Sequence, residues 1–235
     1  YVLPTGCFVT IAETVDPAPG AIVGSHNVCV GSSVTLSDAI SGGVWSSSNT
    51  NVSIGSVSGI ATGNVTGISV ISYVLPTGCF ATRTLVIDNI PAIITGAARV
   101  CLGSSVVLSD TTLGGYWSSS NSNITIGSNS GVVVGIASGT SVVSYILPSG
   151  CMTIQTETVD PIPVAITGLA QVCIGSSVVL SNSTSGGMWS ASNTNATIGS
   201  LSGVVSGISA GSSTTTYMLS TGCLVTKTIS VNPQP

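Results

Sequence analysis

The chain repeats itself every 72 residues. Cys29, Cys101 and Cys173 stand in that step, and so do Cys7, Cys79, Cys151 and Cys223. Trp45, Trp117 and Trp189 keep it too, as do Tyr1, Tyr73, Tyr145 and Tyr217. No insertion or deletion interrupts the period, and a fixed period of this length marks an array of like structural units. One unit reads V-C-x-G-S-S-V-x-L-S, then G-G-x-W-S-x-S-N-x-N, then I-G-S-x-S-G, then a run to Y-x-L-x-x-G-C and a closing Thr-rich segment. Three complete units are assigned, to 18–89, 90–161 and 162–235. Residues 1–17 align instead with the closing segment of a unit, at 73–89, 145–161 and 217–233. They are expected to be the closing strand of a preceding repeat or, in the sharper alternative, a strand donated to the open sheet edge of a neighbour.

Inside a unit the hydrophobic period is two. In Ser33-Val34-Thr35-Leu36-Ser37 the apolar residues fall on one face and the hydroxyls on the other, the mark of a half-buried strand. Similar runs at 44–47, 68–75 and 80–87 are separated by Gly pairs and by Ser-Gly, Thr-Gly and Pro-Thr-Gly turns, where glycine permits positive φ. Ser, Thr, Val and Gly are mediocre helix formers, and no stretch has a helical period. About seven short strands per unit, with turns every 8 to 12 residues or so, predict an all-β chain of tandem immunoglobulin-like β-sandwich domains. The single Trp of each unit, Trp45, Trp117 or Trp189, follows Gly-Gly at the start of the third strand. It is expected to plug the core; a sugar-stacking platform is the alternative.

Composition narrows the partners. Lys and Arg number 3, Asp and Glu 7, and charged residues are 4% of the chain, where about a quarter is usual. Arg83, Arg99 and Lys227 are scattered, so no basic stripe faces phosphates, and nucleic acid is excluded as a partner. No apolar run reaches the roughly 18 residues of a membrane-spanning helix, and no membrane insertion is expected of this segment. A net charge of −4 leaves little self-repulsion against lateral association.

The pattern resembles the bacterial Ig-like group 2 domain. In the first unit the residues that carry the resemblance are Gly31, Trp45-Ser46-Ser47, Ser58-Gly59 and the stretch from Gly63 to Ser69. The added V-C-x-G and G-C cysteines are similar to those in very large secreted surface proteins and adhesins of Bacteroidota. The resemblance implies an extracellular stalk, fibre or adhesin built of spacer modules, and it brings no catalytic residues to transfer.

The cysteines Cys7, Cys29, Cys79, Cys101, Cys151, Cys173 and Cys223 suggest disulfides, since no C-x-x-C occurs. Parity favours pairing inside each unit: Cys29 with Cys79, Cys101 with Cys151, and Cys173 with Cys223, leaving Cys7 over. Geometry objects. If the first cysteine opens the second strand and the other sits in the last hairpin turn, they lie roughly 20 to 25 Å apart, against about 4.4 to 6.8 Å between the Cα atoms of a disulfide. The alternative staples neighbours, Cys29 to Cys151 and Cys101 to Cys223. Both pairings stand at this point.

Catalysis finds no footing. The one histidine, His26, is replaced by Ala98 and Ala170 in the other units, and no serine has a recurring base beside it. Asp38 and Asp110 become Asn182 in the third unit, as turn residues do. No metal or cofactor is expected, because Ser48-Asn49-Thr50-Asn51 offers amides and hydroxyls only. The expected role is structural or adhesive at a bacterial cell surface, with other copies or repeats of the chain as partners. A loop-borne site for surface glycans, a host protein or other cells is the alternative.

Overall fold

The structure is a computed structural model and describes residues 1–234. Seven strands follow one another in the first repeat: β1 (Asn27–Cys29), β2 (Ser33–Thr35), β3 (Val44–Ser47), β4 (Val52–Ile54), β5 (Ile60–Gly63), β6 (Gly67–Val74) and β7 (Phe80–Asp88). They form a four-stranded sheet ordered β1-β7-β6-β3 and a three-stranded sheet ordered β2-β5-β4. The same seven recur as β8 (Arg99–Cys101) to β14 (Met152–Asp160), and as β15 (Gln171–Cys173) to β21 (Leu224–Asn232), with the same strand orders. Among the described residues there is no helix.

All strand-to-strand pairings in the first repeat are antiparallel except one, and an isolated parallel bridge joins Val30 to Gly63. β1 runs parallel to β7, with Asn27 opposite Val86 and Cys29 opposite Asp88. Just upstream, Val23 makes an antiparallel bridge to Ser37, beyond the end of β2. The leading segment therefore begins on the three-stranded sheet and crosses to the four-stranded one. Two sheets with this order over one core, and a Trp on the third strand, define tandem immunoglobulin-like β-sandwiches. Packing divides the chain into two compact units, Tyr1–Pro91 with Leu147–Met152, and Ala92–Ile146 with Thr153 onward. Residues 1–17 are exposed and closed on themselves by a Val2–Phe8 bridge.

One strand position differs from the expectation. Cys29 does not open the second strand; it ends β1. The sequence signal there is weak, because β1 is only three residues long and has no room for an alternation to show.

The first core gathers Ile22, Val28, Leu36, Trp45, Val52, Ala61, Ile71, Tyr73, Leu85 and Ile87. Trp45, Trp117 and Trp189 keep only 6%, 6% and 7% of their surface, so neither face of an indole is free to stack on a ligand. Each lies on a tyrosine of the facing strand, Tyr73, Tyr145 or Tyr217, with ring centroids 4.5, 4.7 and 4.7 Å apart. A buried Trp hides about 150 to 250 Å², about 4 to 6 kcal/mol at 25 cal/mol per Å². The tyrosine adds a polar anchor: Tyr73 Oη accepts from the Gly43 N–H at 2.8 Å and donates to the Ile40 carbonyl at 2.8 Å. Two glycines make room. A Cβ on Gly43 would sit 2.5 Å from the Tyr73 ring, and one on Gly59, where φ is +68°, would sit 2.3 Å from the Leu36 carbonyl oxygen.

The second repeat carries an anomaly. Where Leu85 and Ile229 lie fully buried, the equivalent residue is Glu157, also at 0% exposure. Its Oε1 accepts from Gln155 Nε2 at 2.8 Å, and its Oε2 has no partner. Burial raises its pKa above the ordinary 4.5, and the Gln155 hydrogen bond offsets only part of that rise. A carboxyl that holds its proton more tightly when folded stabilises the fold fully below its unfolded pKa, and that contribution is lost as pH rises through the folded pKa.

Two outcomes are expected. Trp189→Ala should cost about 3 to 5 kcal/mol in denaturant unfolding, since it leaves a cavity as well as losing the transfer term. Glu157→Leu should stabilise by about 1 to 3 kcal/mol at neutral pH, the cost of a buried unsatisfied polar group. The wild type should close part of that gap on acidification from neutrality toward pH 4.5, followed as the unfolding midpoint of both proteins. A gap that widens on acidification would reverse the assignment.

Candidate functional site

The parallel pairing of β1 with β7 decides where the cysteines can go. Cys29 lies opposite Asp88, the last residue of β7, while Cys79 precedes Phe80, the first. Nine residue steps from Cys79 to Asp88 at about 3.3 Å place these positions roughly 30 Å apart, far beyond disulfide reach. The bonds present are Cys29–Cys151 and Cys101–Cys223, with Cα separations of 5.7 and 5.6 Å. Each joins the end of the first strand in one repeat to the closing turn of the next. Cys7, Cys79 and Cys173 are thiols.

Polar contacts support the first junction. Asn27 Nδ2 donates both to Asp88 Oδ2 at 3.1 Å and to the Ser149 carbonyl at 2.9 Å, tying the 147–152 turn to the paired strands. At the corresponding place in the second repeat, the Arg99 guanidinium forks onto the Asp160 carboxylate, with Nε 2.9 Å from Oδ2. The turns arrive preshaped. Leu147 N–H donates to the Cys151 carbonyl and Leu219 N–H to that of Cys223, both at 2.9 Å. Once bonded, Cys151 and Cys223 are 1% exposed.

The sandwich-end loops use up most of their own polar groups. Asn49 Oδ1 accepts from the Asn51 N–H at 3.1 Å, and its Nδ2 donates to the Ile68 carbonyl at 2.9 Å; Asn121 and Asn193 repeat both bonds. This explains the recurring N-x-N. In each repeat a shallow pocket opens over the Trp–Tyr pair, of about 520 Å³ beside Trp45, 190 Å³ beside Trp117 and 290 Å³ beside Trp189. Asp38, Asp110 and Asn182 line it in turn. Asp38 Oδ1 accepts from the Ile40 N–H at 2.9 Å, so the residue shapes its turn, while Oδ2 is buried without a partner. Ser37, Ser41, Ser58 and Tyr73 share the pocket with it, and the Tyr73 hydroxyl is already engaged with the Gly43 N–H and the Ile40 carbonyl. Among the described residues no group of three His, Cys, Asp or Glu could hold a metal ion. His26 is an exposed residue whose carbonyl accepts from Val86 N–H.

Asn27 carries no sequence signal of its own, because it aligns with Arg99 and Gln171, and Ser149 aligns with Thr77 and Thr221; Asp88 does carry one, standing in the 72-residue step with Asp16 and Asp160. The core tyrosines did carry one, the same 72-residue step as the tryptophans.

The class defined by this fold is the tandem immunoglobulin-like β-sandwich. No family model matches the chain, and no curated protein matches it. Among solved structures it is similar to invasin, a bacterial integrin-binding protein, at 14% identity and TM-score 0.41, covering 93% of this chain and 61% of that one. It is also similar to a C-terminal 282-residue fragment of intimin in complex with the intimin-binding domain of the translocated intimin receptor, at 14% identity and TM-score 0.40, covering 65% and 67%. A third is the N-terminal eight Ig domains of the Down syndrome cell adhesion molecule, at 12% identity and TM-score 0.36. That likeness covers 93% of this chain but only 37% of the other. Scores of this size carry no argument about fold or role, and the fold rests on the strand order and cores above.

A non-reducing peptide map should recover Cys29 joined to Cys151 and Cys101 joined to Cys223, and a Cys29–Cys79 peptide would overturn the junction. Each bond closes a loop with a sequence separation of 122. Reduction should therefore lower stability by about 2 to 4 kcal/mol per bond, measured by denaturant unfolding with and without reductant.

Proposed function

We propose that this chain is a structural and adhesive repeat segment of an extracellular bacterial surface fibre or stalk, of the group 2 Ig-like kind found in large secreted proteins of Bacteroidota. The observation that carries the proposal is the pair of disulfides running from one repeat into the next. A crosslink inside a repeat would stabilise that repeat alone, whereas one between repeats resists their separation under load. Disulfides persist in oxidising compartments, which supports an extracellular location. Repeats 18–89, 90–161 and 162–235 serve in this proposal as like modules, each contacting mainly its neighbours. Partners are then further repeats or other subunits of the fibre.

A second role, recognition of a surface glycan, a host protein or another cell, is favoured by one observation, the larger pocket beside Trp45 with its unpartnered Asp38 oxygen. Against it stand the loop amides, already spent on backbone carbonyls. No enzymatic role is proposed.

Antibody labelling of intact cells of the source organism should detect the chain without permeabilisation; labelling only after permeabilisation would end the surface assignment. The full chain should give no saturable signal on a glycan array. Saturable binding that Asp38→Ala removes would put recognition ahead of scaffolding.

A further inference from the structure

The outer face of each four-stranded sheet, the side turned away from the core, ends in a row of large apolar residues. In the first repeat Val44, Val74 and Phe80 stand opposite one another on β3, β6 and β7. In the third, Met188, Met218 and Leu224 do the same on the equivalent strands. The middle repeat has Tyr116 opposite Ile146, with Ile154 on the same face of β14. All of these are exposed except Ile146, which is half-buried. The side chains differ from copy to copy and stay apolar, whereas the next row is Ser46, Ser72 and Thr82 in the first repeat and Ser190, Thr216 and Thr226 in the third.

The middle repeat shows that this exposure belongs to the face itself. It has a repeat on each side of it in the chain and its turn cysteine, Cys151, is bonded, yet Tyr116 is 48% and Ile154 63% exposed. Two strands of that face are eight and nine residues long. At about 3.3 Å per residue and about 4.8 Å between strands, the face measures roughly 400 Å². A stable interface takes roughly 800 Å² from each partner. One face is too small alone, so a partner that matches must carry such faces in series, as this chain does. None of the residues in these rows is charged. A charged partner would bury its charges there without a counter-charge, while a net charge of −4 sets little repulsion between copies of the chain.

We propose that the outer faces of the four-stranded sheets are a lateral interface on which a second copy of this chain docks, apolar row against apolar row. The proposal rests on the role of the chain as a surface fibre, whose strings of repeats it pairs side by side. Sheet packs on sheet at about 10 Å, and the same face serves on both copies, so the contact is self-complementary. The three-stranded sheet is the weaker candidate. In the first and third repeats its outer hydroxyls already bond one another, Ser33 to Thr62 and Ser177 to Ser206.

The test is sedimentation equilibrium of the full chain at increasing concentration, with Cys7, Cys79 and Cys173 alkylated so that no thiol can crosslink. A reversible monomer–dimer equilibrium is expected, and added salt should not weaken it, since no charges pair across the faces. Ile154→Glu should weaken the dimer about tenfold or more, because it buries a charge in the contact. Met188→Glu in the third repeat should do the same. Val107→Glu, at a residue 61% exposed on the outer face of the three-stranded sheet, should leave the dimer unchanged. Retained Cys29–Cys151 and Cys101–Cys223 peptides and an unshifted unfolding midpoint would show that the variants are folded. A monomer at every concentration would overturn the proposal. So would a dimer that Ile154→Glu and Met188→Glu leave intact, or one that Val107→Glu weakens equally. Positive labelling of intact cells alongside such a result would leave the surface role standing and remove the lateral pairing alone.

Discussion

The parallel pairing of a three-residue first strand with the last strand governs the covalent structure of the chain. Parallel register puts the end of β1 beside the end of β7, and therefore a full strand length from the turn that begins β7. A cysteine at each of these places cannot meet its partner in the same sandwich. Each must look outward, and the only complementary group at hand is the matching cysteine one repeat away. Two cysteines per unit, which parity would pair internally, become connectors because of one strand direction.

The same economy appears on the surface. With 4% charged residues, the chain satisfies its exposed polar groups through hydroxyls and amides. Ser33 Oγ meets Thr62 Oγ1 at 2.7 Å across β2 and β5, and Ser177 meets Ser206 at 2.9 Å in the equivalent place. Thr95 and Thr167 meet Ser109 and Ser181 at 2.9 Å. Neutral pairs of this kind are insensitive to salt, unlike surface ion pairs. Arg99–Asp160 is the one ion pair among the described residues, and it stands at a junction rather than on an open face.

How much of this could be seen in the sequence depends on how local the signal is. The alternation in Val34-Thr35-Leu36 and the Gly-Gly-x-Trp step are local, and the strands and buried indoles are found where those patterns stand. The Ser58-Gly59 step before β5 is local as well, and Gly59, at positive φ, leaves the room that the Leu36 carbonyl takes. Strand pairing is not local. Nothing in Asn27-Val28-Cys29 announces a parallel partner 59 residues on, so the sequence pattern alone does not separate the two disulfide pairings. Glu157 was open to view in the alignment of the repeats, where it falls in a column with Leu85 and Ile229, but an acid in a Thr-rich segment does not look buried until its neighbours in the other copies are consulted.

That column also shows why the second repeat tolerates its acid. In the first repeat Arg83 donates to the Ile22 and Gly24 carbonyls at 2.6 Å each, and in the third Lys227 reaches the Ile166 and Gly168 carbonyls at 3.4 and 2.6 Å. These cations clamp the point where the leading segment passes from one sheet to the other. The second repeat has Gln155 at that position, and the amide turns instead to Glu157. The two substitutions are thus one event in physical terms: the clamp is given up, and its replacement hydrogen-bonds a carboxyl that would otherwise be buried with no partner at all. Restoring Arg or Lys at 155 alone would set a cation one alternate position from a buried acid, and restoring Leu at 157 alone would leave Gln155 without its acceptor. The pair should therefore couple strongly, as neighbours within one hydrogen-bonded network do, and the two positions are best understood as a single module that the first and third repeats fill with a cation and an aliphatic side chain.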